Sequence, residues 1–388
     1  MNKKILCLNK ISEKGMEIFS DKYRITEEIG NADAVLVRSA QMASIELPHR
    51  VVAVARAGVG INNIPIDKFA NQGVVVFNTP GANANGVKEL VIAGMLLAAR
   101  DIVGGINFIN DNKASPEIDK LVEKEKNKFA GSEIMNKKIG VIGLGVIGVL
   151  VANACADLGM DVYGYDPFLS INNAMHLSRD IIYVKNIEDI YSECDYITIH
   201  VPLVEETKQM INNKSFSLMK KGVVLLNFAR DLIVKDEDLE KAIESEKVKC
   251  YVTDFPNPKI VNIKNVIAIP HLGASTGEAE DNCAQMAVRQ LMDYLENGNI
   301  SNSVNYPSVD AGICLSKNRI AINHKNIPGM INKFTAIINL HNGNIANMTN
   351  KSLKDLAYTI FDVDGADVLE IYKLIEEIPG VIRIRVVK

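Results

Sequence analysis

No CxxC pair, no HxxxH pair and no apolar run approaching the ~18 residues of a membrane-crossing helix occur in this 388-residue chain. The six cysteines (Cys7, Cys155, Cys194, Cys250, Cys283, Cys314) are scattered through apolar strand or helix patterns, so they read as buried thiols of a reducing compartment. The six histidines lack the spacing of a metal site, and no metal is expected. Lys and Arg total 43 against 47 Asp and Glu, and the formal charge of -4 gives no basic footprint for nucleic acid. A cytoplasmic protein with neither membrane nor nucleic acid as partner is expected. Any small anion it handles must be met by local basic residues.

A hydrophobic content of 47% is that of an ordinary globular protein, and 388 residues exceed the usual size of one core, so two or three domains are expected. The most informative stretch is Lys137–Asp166. An apolar run, Ile139–Ile142, feeds Gly143-Leu-Gly145-Val146-Ile147-Gly148, a helical pattern runs to about Leu158, and Met160–Tyr165 makes a second strand closed by Asp166. Gly143 permits the tight turn, Gly145 lets the backbone approach a pyrophosphate, and Gly148 allows close helix–strand packing. Asp166, 21 positions after Gly145, suits a ribose hydroxyl and would repel a 2′-phosphate, so NAD rather than NADP is the expected cofactor.

On either side of this unit the chain alternates strand and helix patterns. Residues 1–80 give a parallel α/β layout whose strand ends carry Arg38-Ser39 and the turn Arg56–Asn63. One helix is expected from Asn83 through NANGVKELVIAGMLLAARDIVGGINFIND, followed by a charged, solvated segment. Further strands and helices after Asp166 complete a doubly wound sheet. Ser275-Thr-Gly-Glu278 resembles a capping box that opens a helix over 280–296, and Ser301–Gly312 reads as a linker. The order βαββαβ over 319–388 predicts a ferredoxin-like sandwich. The expected fold is two doubly wound parallel-sheet α/β domains plus a small α+β domain. Boundaries fall at 1–82 with 274–305 for a substrate domain, 83–273 for a nucleotide domain, 306–316 for the linker and 317–388 for the last domain.

Arg230 and His271 each end an apolar run downstream of the nucleotide unit, where a substrate would meet the nicotinamide. Oxidising a 2-hydroxy acid needs a base near neutral pH, which histidine supplies, and a grip on the carboxylate, which arginine supplies through two parallel bonds. Arg38, Arg56 and Lys88 are candidate counter-charges for a phosphorylated substrate.

The motifs ARAGVGINNI, NTPGANANGVKELV, IGVIGLGVIG, TIHVPL, NFARDLIV, IPHLGAST and SVNYP resemble those of the D-2-hydroxyacid dehydrogenase family, in the phosphoglycerate dehydrogenase branch with one C-terminal ACT domain. The resemblance implies NAD-dependent oxidation of 3-phospho-D-glycerate to 3-phosphooxypyruvate, the entry to serine synthesis, by a homodimer or homotetramer. It implies Arg230 as the carboxylate ligand, His271 as acid/base, and Arg38, Ser39, Gly58, Val59, Asn83 and Lys88 in the substrate site. Around the cofactor it implies the glycine turn with His200, Val201, Pro202, Thr207, Phe228, Ala229, Asp254, Gly273 and Ala274. In the ACT domain His324, Asn326 and Asn344 match a serine-binding set, which implies feedback by serine. Sister dehydrogenases acting on glycerate, hydroxypyruvate or 2-hydroxyglutarate, and NAD-sensing corepressors, are the alternatives. One departure stands out. The family's DVFxxEP, whose glutamate pairs with the histidine, is here Asp254-Phe-Pro256-Asn257-Pro258, so Asn257, or less readily Asp254, is expected to replace the glutamate.

Overall fold

The computed structural model describes residues 2–365 and 367–388. The chain divides into two compact units, Met1–Asn83 with Glu280–Lys388, and Ala84–Ala279. In the first unit β1 (Lys3–Cys7), β2 (Tyr23–Thr26), β3 (Ala34–Val37), β4 (Ala53–Arg56) and β5 (Val75–Phe77) form a parallel sheet in the order β2-β1-β3-β4-β5. Strands β3 and β5 are buried along their whole length, which is why they read as unbroken apolar runs and not as alternating ones. The helix Gly277–Asn297 packs Ala284, Ala287, Leu291 and Leu295 into the same core as Leu36, Ala55 and Phe77. The Thr276 hydroxyl accepts from Ala279 N at 3.1 Å, so the helix is capped one residue later than Ser275 and starts three residues earlier than the pattern predicts.

In the second unit β6 (Lys138–Ile142), β7 (Asp161–Tyr165), β8 (Ile182–Tyr183), β9 (Tyr196–Ile199), β10 (Val223–Asn227), β11 (Val248–Thr253) and β12 (Val266–Ala268) form a parallel sheet in the order β12-β11-β10-β9-β6-β7-β8. The order reverses between β6 and β9, and ligands of open α/β sheets bind at the strand ends beside such a reversal. The single helix expected from Asn83 is two, Ala84–Ala99 and Ile102–Asp111. Asp101 divides them, because its side chain accepts from Gly104 N at 2.9 Å and so starts a new helix.

The last strands, β13 (Asn318–Lys325), β14 (Asn344–Leu353), β15 (Leu356–Asp364) and β16 (Val381–Val386), form an antiparallel sheet in the order β14-β15-β13-β16. This is the ferredoxin-like arrangement the βαββαβ pattern predicts. The helices Met330–Leu340 and Val368–Glu376 cover one face, with Phe334, Ile338, Ile371 and Ile375 packed against Ile320, Ile322 and Phe361. The sequence pattern starts the second helix at Ala366, a residue outside those described. Alternation along β13 and β15 turns Ala321, Tyr358 and Ile360 the other way, into the core of the first unit with Phe77 and Tyr294. The stretch expected as a linker belongs to that core too. Tyr306 and Val309 are buried, and the Asn305 side chain bonds Val76 N and Val74 O as a neighbouring strand would.

Arg319 joins these parts. Fully buried, it donates from Nε and Nη2 to the two carboxylate oxygens of Asp362 at 2.6 and 2.8 Å, and to the carbonyls of Asn297, Gly312 and Ala311 at 2.8, 2.6 and 3.1 Å. All five guanidinium hydrogens have a partner. Removing one side of a buried pair leaves the other charge without compensation. Arg319→Ala is therefore expected to destabilise the chain by about 3–5 kcal/mol in urea unfolding at neutral pH, the loss reported when such a pair is broken.

Candidate active site

A single row of paired residues crosses the second sheet: Ala268, Thr253, Asn227, Ile199, Ile142 and Tyr165. The residues that follow each of them emerge along one edge. His271 comes after β12, Asp254 after β11, Arg230 after β10, His200 after β9, Gly143 after β6 and Asp166 after β7. With neighbouring strands ~4.8 Å apart, the edge spans about 24 Å from Asp166 to the end of β12.

The glycine turn fills one end. Gly143 has φ +93°, and a Cβ there would lie 2.8 Å from the His200 carbonyl carbon and oxygen. A Cβ on Gly148 would lie 1.9 Å from Gly143 O, whereas nothing stands within 4 Å of one on Gly145. The turn is thus closed from below and behind and open above Gly145, where the helix Val146–Asp157 begins with Val146 half exposed and Ile147 partly so. Asp166 receives Leu144 N at 2.9 Å and Phe168 N at 2.8 Å, one on each carboxylate oxygen, which leaves further lone pairs for a diol. His200 contacts the Thr198 hydroxyl through Nε2 at 2.9 Å, and burial pushes its pKa down to about 3, so it is a neutral wall. Val201 and Pro202 continue that wall, and the Thr207 hydroxyl donates to Pro202 O at 2.6 Å.

At the other end Asp254 is 2% exposed, and its Oδ2 accepts from Gly273 N at 3.2 Å. Its Oδ1 is buried with no partner. Burial raises the carboxyl pKa, against smaller opposing effects from the Gly273 bond and the nearby His271 and Arg230. The His271 and Phe255 rings lie 4.6 Å apart at 48°, and the Arg230 guanidinium sits 5.9 Å from the centre of the same Phe255 ring. Phe228 and Ala229 are buried behind Arg230, and Ala274 is exposed beyond Gly273. Asn257 is not turned to the histidine. Its amide donates to Asp236 at 3.0 Å and its oxygen accepts from Lys259 N and Ile260 N at 3.0 and 3.1 Å, which spends the side chain on Asp236 and on the turn that follows it.

In the first unit the loop after β3 hangs on Asn9, whose side-chain oxygen accepts from Arg38 N, Ser39 N and Ala40 N at 3.1, 3.0 and 2.9 Å. The Arg38 guanidinium pairs with Glu280 at 2.5 Å. Gly58 and Val59 present their carbonyls to Thr79 N and the Asn78 amide, and Asn83 has a buried side-chain oxygen with no partner. In the second unit Lys88 donates to Asn85 at 2.7 Å. In the last domain His324 is buried, with Nδ1 donating to Lys325 O at 2.9 Å and Nε2 2.8 Å from the Thr359 hydroxyl, and Asn326 donates to Lys354 O at 3.0 Å. Asn344 stands apart from both. His324 pairs with Ala357, which pairs with Ser352, eight positions along β14 from Asn344, so roughly 25 Å of strand separates them in one chain.

The model of the D-isomer specific 2-hydroxyacid dehydrogenase NAD binding domain matches residues 92–273. D-3-phosphoglycerate dehydrogenase of Haemophilus influenzae is 31% identical over 353 residues, 88% of this chain and 82% of that one. The chain belongs to the D-2-hydroxyacid dehydrogenase family. The enzyme of the same name from Methanocaldococcus jannaschii is 31% identical over 79% of this chain, which covers 58% of that longer relative. Among solved structures, an NAD+-bound 3-phosphoglycerate dehydrogenase of Entamoeba histolytica superposes with a TM-score of 0.61 at 29% identity, over 79% of this chain and 99% of that one.

NAD is the cofactor of this D-2-hydroxyacid dehydrogenase, and the site fits it at three points. The open backbone above Gly145 admits a pyrophosphate, Asp166 offers acceptors to a ribose diol, and the orphaned Asp254 Oδ1 can accept from a carboxamide NH2. Sequence reasoning missed Asn9, Asn227, Thr253 and Phe255. Of these Asn227 and Thr253 carried a local signal, each as the polar residue that ends a buried strand.

Because burial raises the Asp254 pKa, its charged form is penalised in the folded state. That cost is absent below the ordinary value of 3.8 and grows as the pH rises through the folded value. Asp254→Asn is expected to raise the melting temperature of the cofactor-free enzyme at neutral pH, with no gain under acid conditions, and to weaken NADH binding measured by fluorescence titration.

Proposed function

We propose that the enzyme oxidises 3-phospho-D-glycerate to 3-phosphooxypyruvate, in the cytoplasm, with serine acting as a feedback ligand of the C-terminal domain. The observation that carries the chemistry is the meeting of Arg230 and His271 at one aromatic ring beside the unpartnered oxygen of Asp254. Bound NAD+ supplies the hydride acceptor. Arg230, free of any carboxylate partner among the described residues, is available to hold the substrate carboxylate through two parallel bonds and so fix the α-carbon. His271 takes the proton of the 2-hydroxyl as the carbonyl forms, and its exposed ring lets that proton leave to water. Arg38, Ser39, Gly58, Val59, Asn83 and Lys88 are assigned to the rest of the substrate, with Arg38 exchanging Glu280 for a phosphate oxygen. Relatives named for phosphoglycerate favour this substrate over glycerate or 2-hydroxyglutarate.

For serine, the distance between Asn344 and the His324–Asn326 pair within one chain supports a site shared by two chains. A homodimer or homotetramer is proposed accordingly. The exposed Ile102, Val103, Ile106 and Ile109 of the helix Ile102–Asp111 offer an apolar face for such assembly.

NADH formation from NAD+ and 3-phospho-D-glycerate tests the reading. His271→Ala is expected to lower kcat by about 10²–10⁴-fold, the range for loss of a general base. A chain that binds NADH yet forms none from this substrate would refute it. In the same assay serine should inhibit the wild type, and Asn344→Ala should abolish the response. Turnover of the wild type indifferent to serine would remove the regulatory part alone.

A further inference from the structure

A catalytic base works only if something holds its ring, and this duty commonly falls to a hydrogen-bonded third group. Here no ion pair or side-chain hydrogen bond reaches the His271 ring nitrogens among the described residues, and Asn257 is spent on Asp236 and on its own turn. What does touch the imidazole is Phe255, 4.6 Å away between ring centres, and the same ring lies 5.9 Å from the Arg230 guanidinium.

We propose that Phe255 is the positioning residue of this site, a single aromatic ring that sets the Arg230 guanidinium and the His271 imidazole relative to one another. The backbone that carries the ring is restrained in two ways. Phe255 N donates to the Thr253 hydroxyl at 3.1 Å, which donates to Asn227 O at 2.9 Å, and the Asn227 amide donates to Arg230 O at 2.8 Å. Phe255 and Arg230 are therefore tied to the same buried asparagine. Pro256 adds a second restraint, because a residue before proline is confined to extended backbone, which limits where its side chain can point. An aromatic ring has two side-chain torsions, so it offers a broad, stiff surface at little entropic cost. Guanidinium groups stack on such faces and imidazoles pack against them. Unlike a carboxylate, the ring occupies neither imidazole nitrogen, and both stay free for the substrate hydroxyl and for water.

The inference rests on Arg230 and His271 being the catalytic pair, and the test keeps the two apart. In steady-state assays of the full-length protein with NAD+ and 3-phospho-D-glycerate, Phe255→Leu is expected to lower kcat/KM by about 10–100-fold, the scale of an ångström-sized misplacement. Its NADH affinity should stay that of wild type, and Phe255→Tyr, which keeps the ring, should recover most of the activity. A Phe255→Leu enzyme with wild-type kcat/KM, or a Phe255→Tyr enzyme as impaired as Phe255→Leu, overturns the role of the ring. Equal losses of NADH affinity and turnover assign Phe255 to general structure and overturn it too. If Phe255→Leu does not fold, Phe255→Met against Phe255→Tyr makes the same comparison. His271→Ala with full activity would instead refute the catalytic pair.

Discussion

The active edge of the enzyme depends on how one buried amide is satisfied. Asn227 ends β10 with no exposure, and a polar side chain in that position must find partners or cost the strand its stability. It donates to Arg230 O at 2.8 Å and to the Tyr251 hydroxyl at 3.1 Å, and it accepts from Ala229 N at 3.1 Å. Its own carbonyl takes the Thr253 hydroxyl. These bonds bend the chain at Ala229–Arg230 and bind the end of β10 to the end of β11. That bend sets the backbone from which the Arg230 side chain departs.

The rest is a consequence of parallel pairing. Because neighbouring strands share one register row, the residues after it emerge side by side, and a glycine turn, an acid, a histidine and an arginine far apart in sequence meet along one edge. The edge is polar in a graded way. At one end Asp166 is tied to two backbone N–H groups and partly open, while at the other Asp254 is buried with an oxygen unmatched. An unmatched buried oxygen is a stability cost that a bound amide can offset.

Much of this was legible in the chain. The spacing of Gly143, Gly145, Gly148 and Asp166 named the nucleotide turn because each position has its own steric or electrostatic demand, and the βαββαβ order of the last domain follows from alternating patterns. The misreadings share a cause, which is that tertiary partners do not show in local pattern. Asp101 sits inside an apolar helical run and divides it by capping. Ser301–Gly312 reads as a linker in sequence, yet Asn305 completes its bonds against β5 and Tyr306 donates to Ala70 O. Arg319 would pass for a surface residue in any strand, and Phe255 and His271 meet across sixteen positions with no periodicity to announce it. Against the family's longer motif, Asn257 falls where the histidine's partner is expected. In the structure the asparagine opens a turn, and its side-chain oxygen serves the N–H groups of Lys259 and Ile260 instead.

The central claim is that the row of strand ends in the second unit carries out hydride transfer from a 2-hydroxy acid to NAD+. It is tested most directly with 3-phospho-D-glycerate deuterated at C2. The account predicts that deuterium appears at C4 of the nicotinamide in the NADH produced, with a slower rate when the chemical step is limiting. NADH free of deuterium, or cofactor that binds but acquires none from this or any other 2-hydroxy acid, would contradict it.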